Sequence, residues 1–202
     1  MHWLQGVSTF LDQGSFSFMS LQDLLSQAWE NIKSAAVDPS HPFRFLAFNT
    51  LGEVYPDTRM VVLRHFNPDA NQLFVFTDRR SEKVKHIKID DRVSLLFYDQ
   101  ERRVQVKCLA HATLLSMPDS VPYWKRLKSG KESYNTLHSP ATVANSWEEA
   151  VALKPTFDAE DFGVIRCDLD ELEVLQLQSS GHQRARFTFL GGSLDASEWL
   201  VP

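Results

Sequence analysis

Arg59, Arg64, Thr77, Ser81 and Lys83 fall close together in the chain; the first three border short apolar runs, and Ser81 and Lys83 follow a few residues after the second. Met60 to Leu63 and Leu73 to Phe76 are β-branched, aliphatic or aromatic, and Asn67-Pro68-Asp69-Ala70-Asn71 lies between them. Proline presets φ in such a segment and Asn or Asp bonds its own backbone, so the pattern predicts two antiparallel strands joined by a turn. Cations and hydroxyls gathered at strand ends suit a phosphate, which accepts several charge-assisted hydrogen bonds at once. Most Arg and Lys side chains are simply solvated, so the ordered company of these residues has to carry the reading. Arg59 and Arg64 are an odd number of residues apart. On a straight strand they project to opposite faces, and they then serve different parts of a ligand unless a bulge intervenes.

Elements that could position this cluster can be read on both sides of it. Ser81 to Ile89 carries Val84 and Ile87 on one face, which predicts a short helix capped by Ser81, with Thr77 as a second capping hydroxyl. Its first-turn amides would add anion-binding capacity at the end of the Phe74 strand. Upstream, Ser20-Leu21-Gln22-Asp23 resembles a capping box, and Leu21, Leu24, Leu25, Ala28, Ile32 and Ala35 have helical spacing up to Asp38-Pro39. Strands are expected over Phe43 to Asn49, Arg59 to His65, Gln72 to Thr77, Val93 to Tyr98 and Arg103 to Leu115. They return over Phe162 to Cys167, Leu172 to Leu177 and Arg184 to Leu190. Residues 119 to 153 read as mainly helical and irregular, broken by Pro122 and Pro140, with Tyr123, Trp124 and Trp147 as apolar anchors. Many short antiparallel strands with few helices favour a mainly β, α+β fold, a closed or split antiparallel barrel with flanking helices, because closure removes exposed edges.

Composition limits the function classes. A chain of 202 residues, 43% hydrophobic, can bury a full core as one domain over residues 19–202, leaving residues 1–18 as an N-terminal arm. A net charge of -5 disfavours generic nucleic-acid binding, whereas a small anion needs only a few local cations. There is no apolar run of the roughly 20 residues needed to span a bilayer, and no secretory pattern opens the chain. Cys108 and Cys167 are too few for a disulfide scaffold and read as core residues, which points to a reducing cytoplasm. The histidines lack ligand spacing, so no metal site is expected. Nucleophile-elbow and P-loop motifs are absent, so hydrolase and nucleoside triphosphatase chemistry is disfavoured.

The order of these motifs resembles the pyridoxamine 5′-phosphate oxidase family of FMN-binding split barrels, over roughly residues 20 to 115 and 162 to 202. Arg59-Met60-Val61-Val62-Leu63-Arg64 is similar to the family's Arg-x-Val-x-Leu-Lys strand, with Arg64 in place of Lys. Phe76-Thr77 matches a Tyr-Thr pair, and Ser81-Glu82-Lys83 matches Ser-Arg-Lys with one cation lost at Glu82. Glu101-Arg102-Arg103-Val104-Gln105-Val106 resembles Glu-Arg-Gln-Val-x-Val. In Leu172-Glu173-Val174-Leu175-Gln176, Leu175 replaces a Trp, and His182-Gln183-Arg184-Ala185-Arg186-Phe187 resembles Arg-Leu-His-Asp-Arg-Phe with the first Arg and the His exchanged.

The resemblance implies FMN contacts from Arg59, Met60, Val61, Val62, Arg64, Phe76, Thr77, Ser81, Lys83, either Arg103 or Gln105, and Arg186. It implies substrate contacts from Arg64, Tyr123, His182 and Arg184, although the Arg expected four residues after Tyr123 is Leu127. It further implies a homodimer with FMN at the interface and hydride transfer from a small, anionic or phosphorylated substrate to the flavin. No residue is assigned a catalytic proton-transfer role. The altered substrate residues leave open a non-catalytic flavin-binding or sensing protein, and a barrel of this ancestry that binds a different anion.

Overall fold

The computed structural model describes residues 18–202, so the expected arm lies outside the described residues except for Phe18. Eight strands follow one another: β1 Phe45–Leu51, β2 Pro56–Asn67, β3 Gln72–Asp78, β4 Arg92–Asp99, β5 Val104–Leu114, β6 Phe162–Gln176, β7 Gln183–Leu190 and β8 Ser193–Leu200. The helices are α1 Leu21–Val37, α2 Glu82–Ile89, α3 Met117–Arg126 and α4 Trp147–Ala150. The sheet runs β3-β2-β1-β4-β5-β6-β7-β8, every pair is antiparallel, and β3 also pairs with β6. That last pairing closes β1 to β6 into a barrel, with β7 and β8 continuing beyond it as a flap. The expected α+β split barrel is therefore the observed fold.

Period-two alternation fills the barrel. Leu46 and Phe48, Leu95 and Phe97, and Val106, Cys108 and Ala110 turn inward, and all are buried. α1 starts at a complete capping box, in which the Ser20 hydroxyl accepts from the Asp23 amide and the Asp23 carboxylate accepts from the Ser20 amide. Its stripe of Leu24, Leu25, Ala28, Ile32 and Ala35 joins the barrel core, and Trp29 packs on Phe66 and Phe189 at ring distances of 5.1 and 5.6 Å. A second, smaller core lies outside the β3–β6 seam, where Phe74, Phe162 and Val164 meet Trp124 of α3. Cys108 and Cys167 are both free and fully buried.

Two expectations are corrected, and one further strand is added. Phe162 to Cys167 and Leu172 to Leu177 are one strand, β6. The pairing shifts from Leu109–Glu171 to Ala110–Leu169, which leaves Asp170 as an extra residue, and this bulge interrupts the alternation that the sequence reading relied on. Residues 119 to 153 are mostly irregular: beyond α3 they hold a 3-10 turn at Lys131–Tyr134 and the single turn α4. β8 alternates only over Leu194 and Ala196 before Glu198 and Trp199 break the pattern, and it falls outside the expected strands. It is produced by Gly191 and Gly192, whose φ values of 57° and 81° turn the chain back on β7.

Phe97 is fully buried, with its ring centroid 5.2 Å from that of Phe43. Phe97→Ala is expected to lower the unfolding free energy by about 3–5 kcal/mol, read as a lower urea midpoint with an unchanged slope.

Candidate functional site

Arg59 lies opposite Phe48 on β1 and points to the inner side of the barrel end that α2 covers. Its guanidinium donates to the Phe48 carbonyl at 3.1 Å and to Thr50 Oγ1 at 2.9 Å, and its second terminal nitrogen pairs with Asp57. α2 begins just after β3 ends. Thr77 and Ser81 are buried there, their hydroxyl oxygens 3.1 Å apart, and the Lys83 ammonium donates to Thr77 Oγ1 at 3.3 Å. Burial, and next the neighbouring Arg59, hold the Lys83 pKa below its ordinary value, with Asp78 and Asp57 opposing the shift. Ser81 occupies the N-cap position of α2, but its hydroxyl donates to the Asp78 carbonyl at 2.7 Å instead of accepting from the helix. The expected side-chain cap is therefore not made, and the leading amides of α2 remain uncapped by any side chain. Arg59, Thr77, Ser81 and Lys83 thus form one corner, as their sequence order suggested.

Arg64 and His65 sit elsewhere. The β2–β3 register slips between Leu63 and His65, so Arg64 falls in a bulge. Arg64 and His65 both turn to the outer side, where the Arg64 guanidinium lies 5.3 Å from the centroid of Phe76 and His65 packs on Phe74. The parity argument holds, since Arg59 and Arg64 serve opposite sides of one strand. Arg64 lines a cavity of about 400 Å³ with Arg44, His65, Phe76, Tyr123, Arg126 and Lys128 among its walls, and none of the lining residues is acidic. Arg64 Nε is buried without a hydrogen-bond partner. Tyr134 stands beside it; burial raises the phenol's pKa, and the adjacent Arg64 pulls it part of the way back.

Sequence reading missed three cationic walls of this cavity. Arg44 is fixed by donating to the carbonyls of Ala35 and Ala36 at the end of α1, at 3.0 and 2.9 Å. Arg126 and Lys128 flank Leu127, the position that lacks the expected Arg. Their only sequence signal was that proximity. Asp57 was also missed, although it lies two residues before Arg59 on the same strand face. By contrast, Arg79 and Arg80 are structural. Arg79 donates to the carbonyls of Phe162 and Leu115 and to Ser120 Oγ, and Arg80 pairs with Asp78 and Asp161.

The remaining candidates lie on other faces. Cross-strand register aligns Tyr98, Gln105, Leu175 and Arg184 in one row and Lys107, Glu173 and Arg186 in the next. Arg184 donates twice to Glu173, at 3.0 and 2.9 Å, and Lys107 donates to the same carboxylate at 3.0 Å. Arg186 pairs with Glu198. Arg103 is exposed in the turn before β5 with φ of 53°, whereas Gln105 projects from the strand. His182 is exposed in the loop before β7, where it accepts from the Gln178 amide at 3.1 Å. Met60 is exposed opposite Ala47, Val61 faces inward with Leu46, and Val62 lies beside Phe45. Within one chain, therefore, the β5–β7 candidates are not brought to the corner at α2. Among the described residues no group of His, Cys, Asp and Glu is arranged to hold a metal, and no helix is long and apolar enough to cross a membrane.

A closed antiparallel barrel that opens beyond β6 into a two-stranded flap is a split barrel, and here it carries a cationic corner at the start of a short helix. Residues 23–116 match the family described as "Pyridoxamine 5'-phosphate oxidase, FMN-binding domain", so this stretch of the chain is similar to that domain. Pyridoxine/pyridoxamine 5'-phosphate oxidase 2 of Hydrogenovibrio crunogenus is 33% identical over 101 residues, which cover 50% of this chain and 45% of that protein. The match thus spans about half the length of the relative. In fold, the chain is similar to a pyridoxamine 5'-phosphate oxidase-related, FMN binding protein of Nostoc punctiforme, with a TM-score of 0.73, 20% identity, and coverage of 92% of this chain and 100% of the other. It is also similar to PhzG of Burkholderia lata, solved with tetrahydrophenazine-1-carboxylic acid, with a TM-score of 0.71, 17% identity, and coverage of 94% and 100%.

The Glu173 cluster generates a pH prediction. Burial pushes the Glu173 carboxyl up, but the hydrogen bonds and charges of Lys107 and Arg184 outweigh it and hold the pKa below its ordinary value. A depressed folded-state pKa contributes stability that is present above the unfolded carboxylate range, about 4.3, and is lost as pH falls through the folded value. Glu173→Gln is expected to flatten that part of the acid limb in a stability-against-pH series.

Proposed function

We propose that this protein is an FMN-dependent oxidoreductase that acts on a small anionic substrate. The observation that carries the reading is the corner at the start of α2, where Arg59, Lys83, Thr77 and Ser81 converge on uncapped helix amides. The corner fits a phosphomonoester in charge and in donor type. Bound flavin would accept a hydride from an amine or similar carbon centre and pass the electrons to oxygen or another acceptor. Arg59 and Lys83 neutralise the phosphate, and the hydroxyls of Thr77 and Ser81 turn from the Asp78 carbonyl to donate to it. Phe76 and the neighbouring β2 backbone, from Met60 to Val62, form the wall against the ring.

Arg64 and Tyr123 hold the substrate in the cavity that Phe76 also lines, so that ring and substrate meet at Phe76. Arg64 offers a planar fork where Lys would present a point charge, which suits bidentate capture of a carboxylate or phosphate. Its unpartnered Nε and the absence of acidic lining residues support an anionic substrate. Gln105, Arg184 and Arg186 come to the flavin from the second copy of a homodimer, since within one chain they sit on other faces; His182 arrives with them on its loop. Gln105 is favoured over Arg103 because it shares a strand face with Leu175 and Arg184.

One observation favours the non-catalytic alternative: Arg184 and Arg186 are already engaged by Glu173 and Glu198, and Leu175 offers no aromatic surface. Bleaching of the flavin absorption by a substrate under anaerobic conditions separates the two readings. For the cofactor site, Arg59→Ala and Lys83→Ala are each expected to weaken FMN binding by about ten- to a hundredfold, given about 1.5–3 kcal/mol per hydrogen bond to a charged group. Flavin absorption remaining after desalting reports it, and undiminished retention in both variants would refute the corner as the phosphate site.

A further inference from the structure

Asp57 occupies the phosphate corner in a way that neither the cofactor nor the substrate reading uses. It lies on β2 two residues before Arg59, on the same face, and its carboxylate pairs with Arg59 Nη2. His86 of α2 comes within 3.8 Å of the same oxygen, and the charge of Asp57 also reaches the Lys83 ammonium. The other terminal nitrogen of Arg59 is committed to Phe48 and Thr50, so an incoming anion that takes a terminal nitrogen must take the one that Asp57 holds. Asp57 is only partly covered, with 44% of its side chain exposed, so it can swing into solvent without leaving a buried charge behind.

We infer that Asp57 is a built-in counter-ion that stands in for the ligand phosphate at Arg59 and lowers the affinity of the corner for phosphomonoesters. This rests on the reading of the corner as the flavin phosphate site. A dianionic phosphate entering beside Lys83 and Arg59 meets a resident carboxylate, and it must either displace that group or bind against its charge. The resident carboxylate lets two adjacent cations remain folded together without a ligand, at the cost of weaker anion capture. Phosphate-bearing ligands feel this penalty and their dephosphorylated counterparts do not.

The test compares the wild-type chain with Asp57→Asn, which keeps shape and hydrogen bonding but removes the charge. Apo proteins are titrated with FMN and, in parallel, with riboflavin, and thermal midpoints are measured with and without inorganic phosphate. Asp57→Asn is expected to bind FMN about five- to tenfold more tightly, the size expected of a like charge a few ångströms away in a partly solvated site. Riboflavin affinity should be unchanged, the ligand-free midpoint should fall, and inorganic phosphate should raise the variant's midpoint more than that of the wild type. Unchanged or weaker FMN binding by Asp57→Asn, or a parallel change for riboflavin, overturns the inference. If neither protein binds FMN, the cofactor reading fails by itself, and the phosphate series decides. A larger phosphate shift in the variant then sustains the counter-ion role, and equal shifts overturn it.

Discussion

The architecture depends on the pairing of β6 with three different strands. Its first half, from Phe162 to Asp168, lies against β3, its second half, from Glu171 to Gln176, lies against β7, and β5 runs along most of its length. The exchange of β3 for β7 takes place at Asp170, where the bulge adds one residue and turns the strand. On one side of that point the sheet closes on itself; on the other it opens into the β7–β8 flap. A barrel that splits in this way presents both an enclosed apolar interior and an open sheet face. The site residues are divided between them.

Electrostatics follows the same division. At the closed end, Arg59 and Lys83 crowd together beside buried hydroxyls, and outside the β3–β6 seam Arg64 faces a cavity with cationic walls and no acidic ones. On the open face every candidate cation of β7 is matched to a carboxylate, Arg184 to Glu173 and Arg186 to Glu198. A protein of net charge -5 thus gathers cations on either side of β2, at one place beside the Asp57 carboxylate and at the other in a cavity with no acidic wall. Small anions are drawn to such local fields even where the overall charge is negative.

Much of this was legible in the residues. Period-two alternation identified nearly every barrel strand, because each has one buried face, and the capping box placed the start of α1 within a residue. The corner of Arg59, Thr77, Ser81 and Lys83 could be read because a short turn and a helix start bring those positions together locally. What escaped depended on tertiary context. The bulge at Asp170 resets the alternation and made one strand look like two. β8 buries too little of either face to leave a pattern. Arg44 and Arg126 come from distant segments whose convergence no local spacing records, and the pairing of Arg184 with Glu173 requires the β6–β7 register.

The two cysteines carry a consequence of their own. Cys108 on β5 and Cys167 on β6 point into the sealed interior; burial pushes the Cys108 thiol up to about 12 and shifts Cys167 upward as well. Neither forms appreciable thiolate near neutral pH, and no reagent reaches either sulfur while the strands stay paired. Alkylation can therefore proceed only through openings of the β5–β6 region of the barrel, so these side chains form a native clock. Its rate counts how often the wall parts, and slower labelling in the presence of a ligand would register that ligand's grip on the closed state.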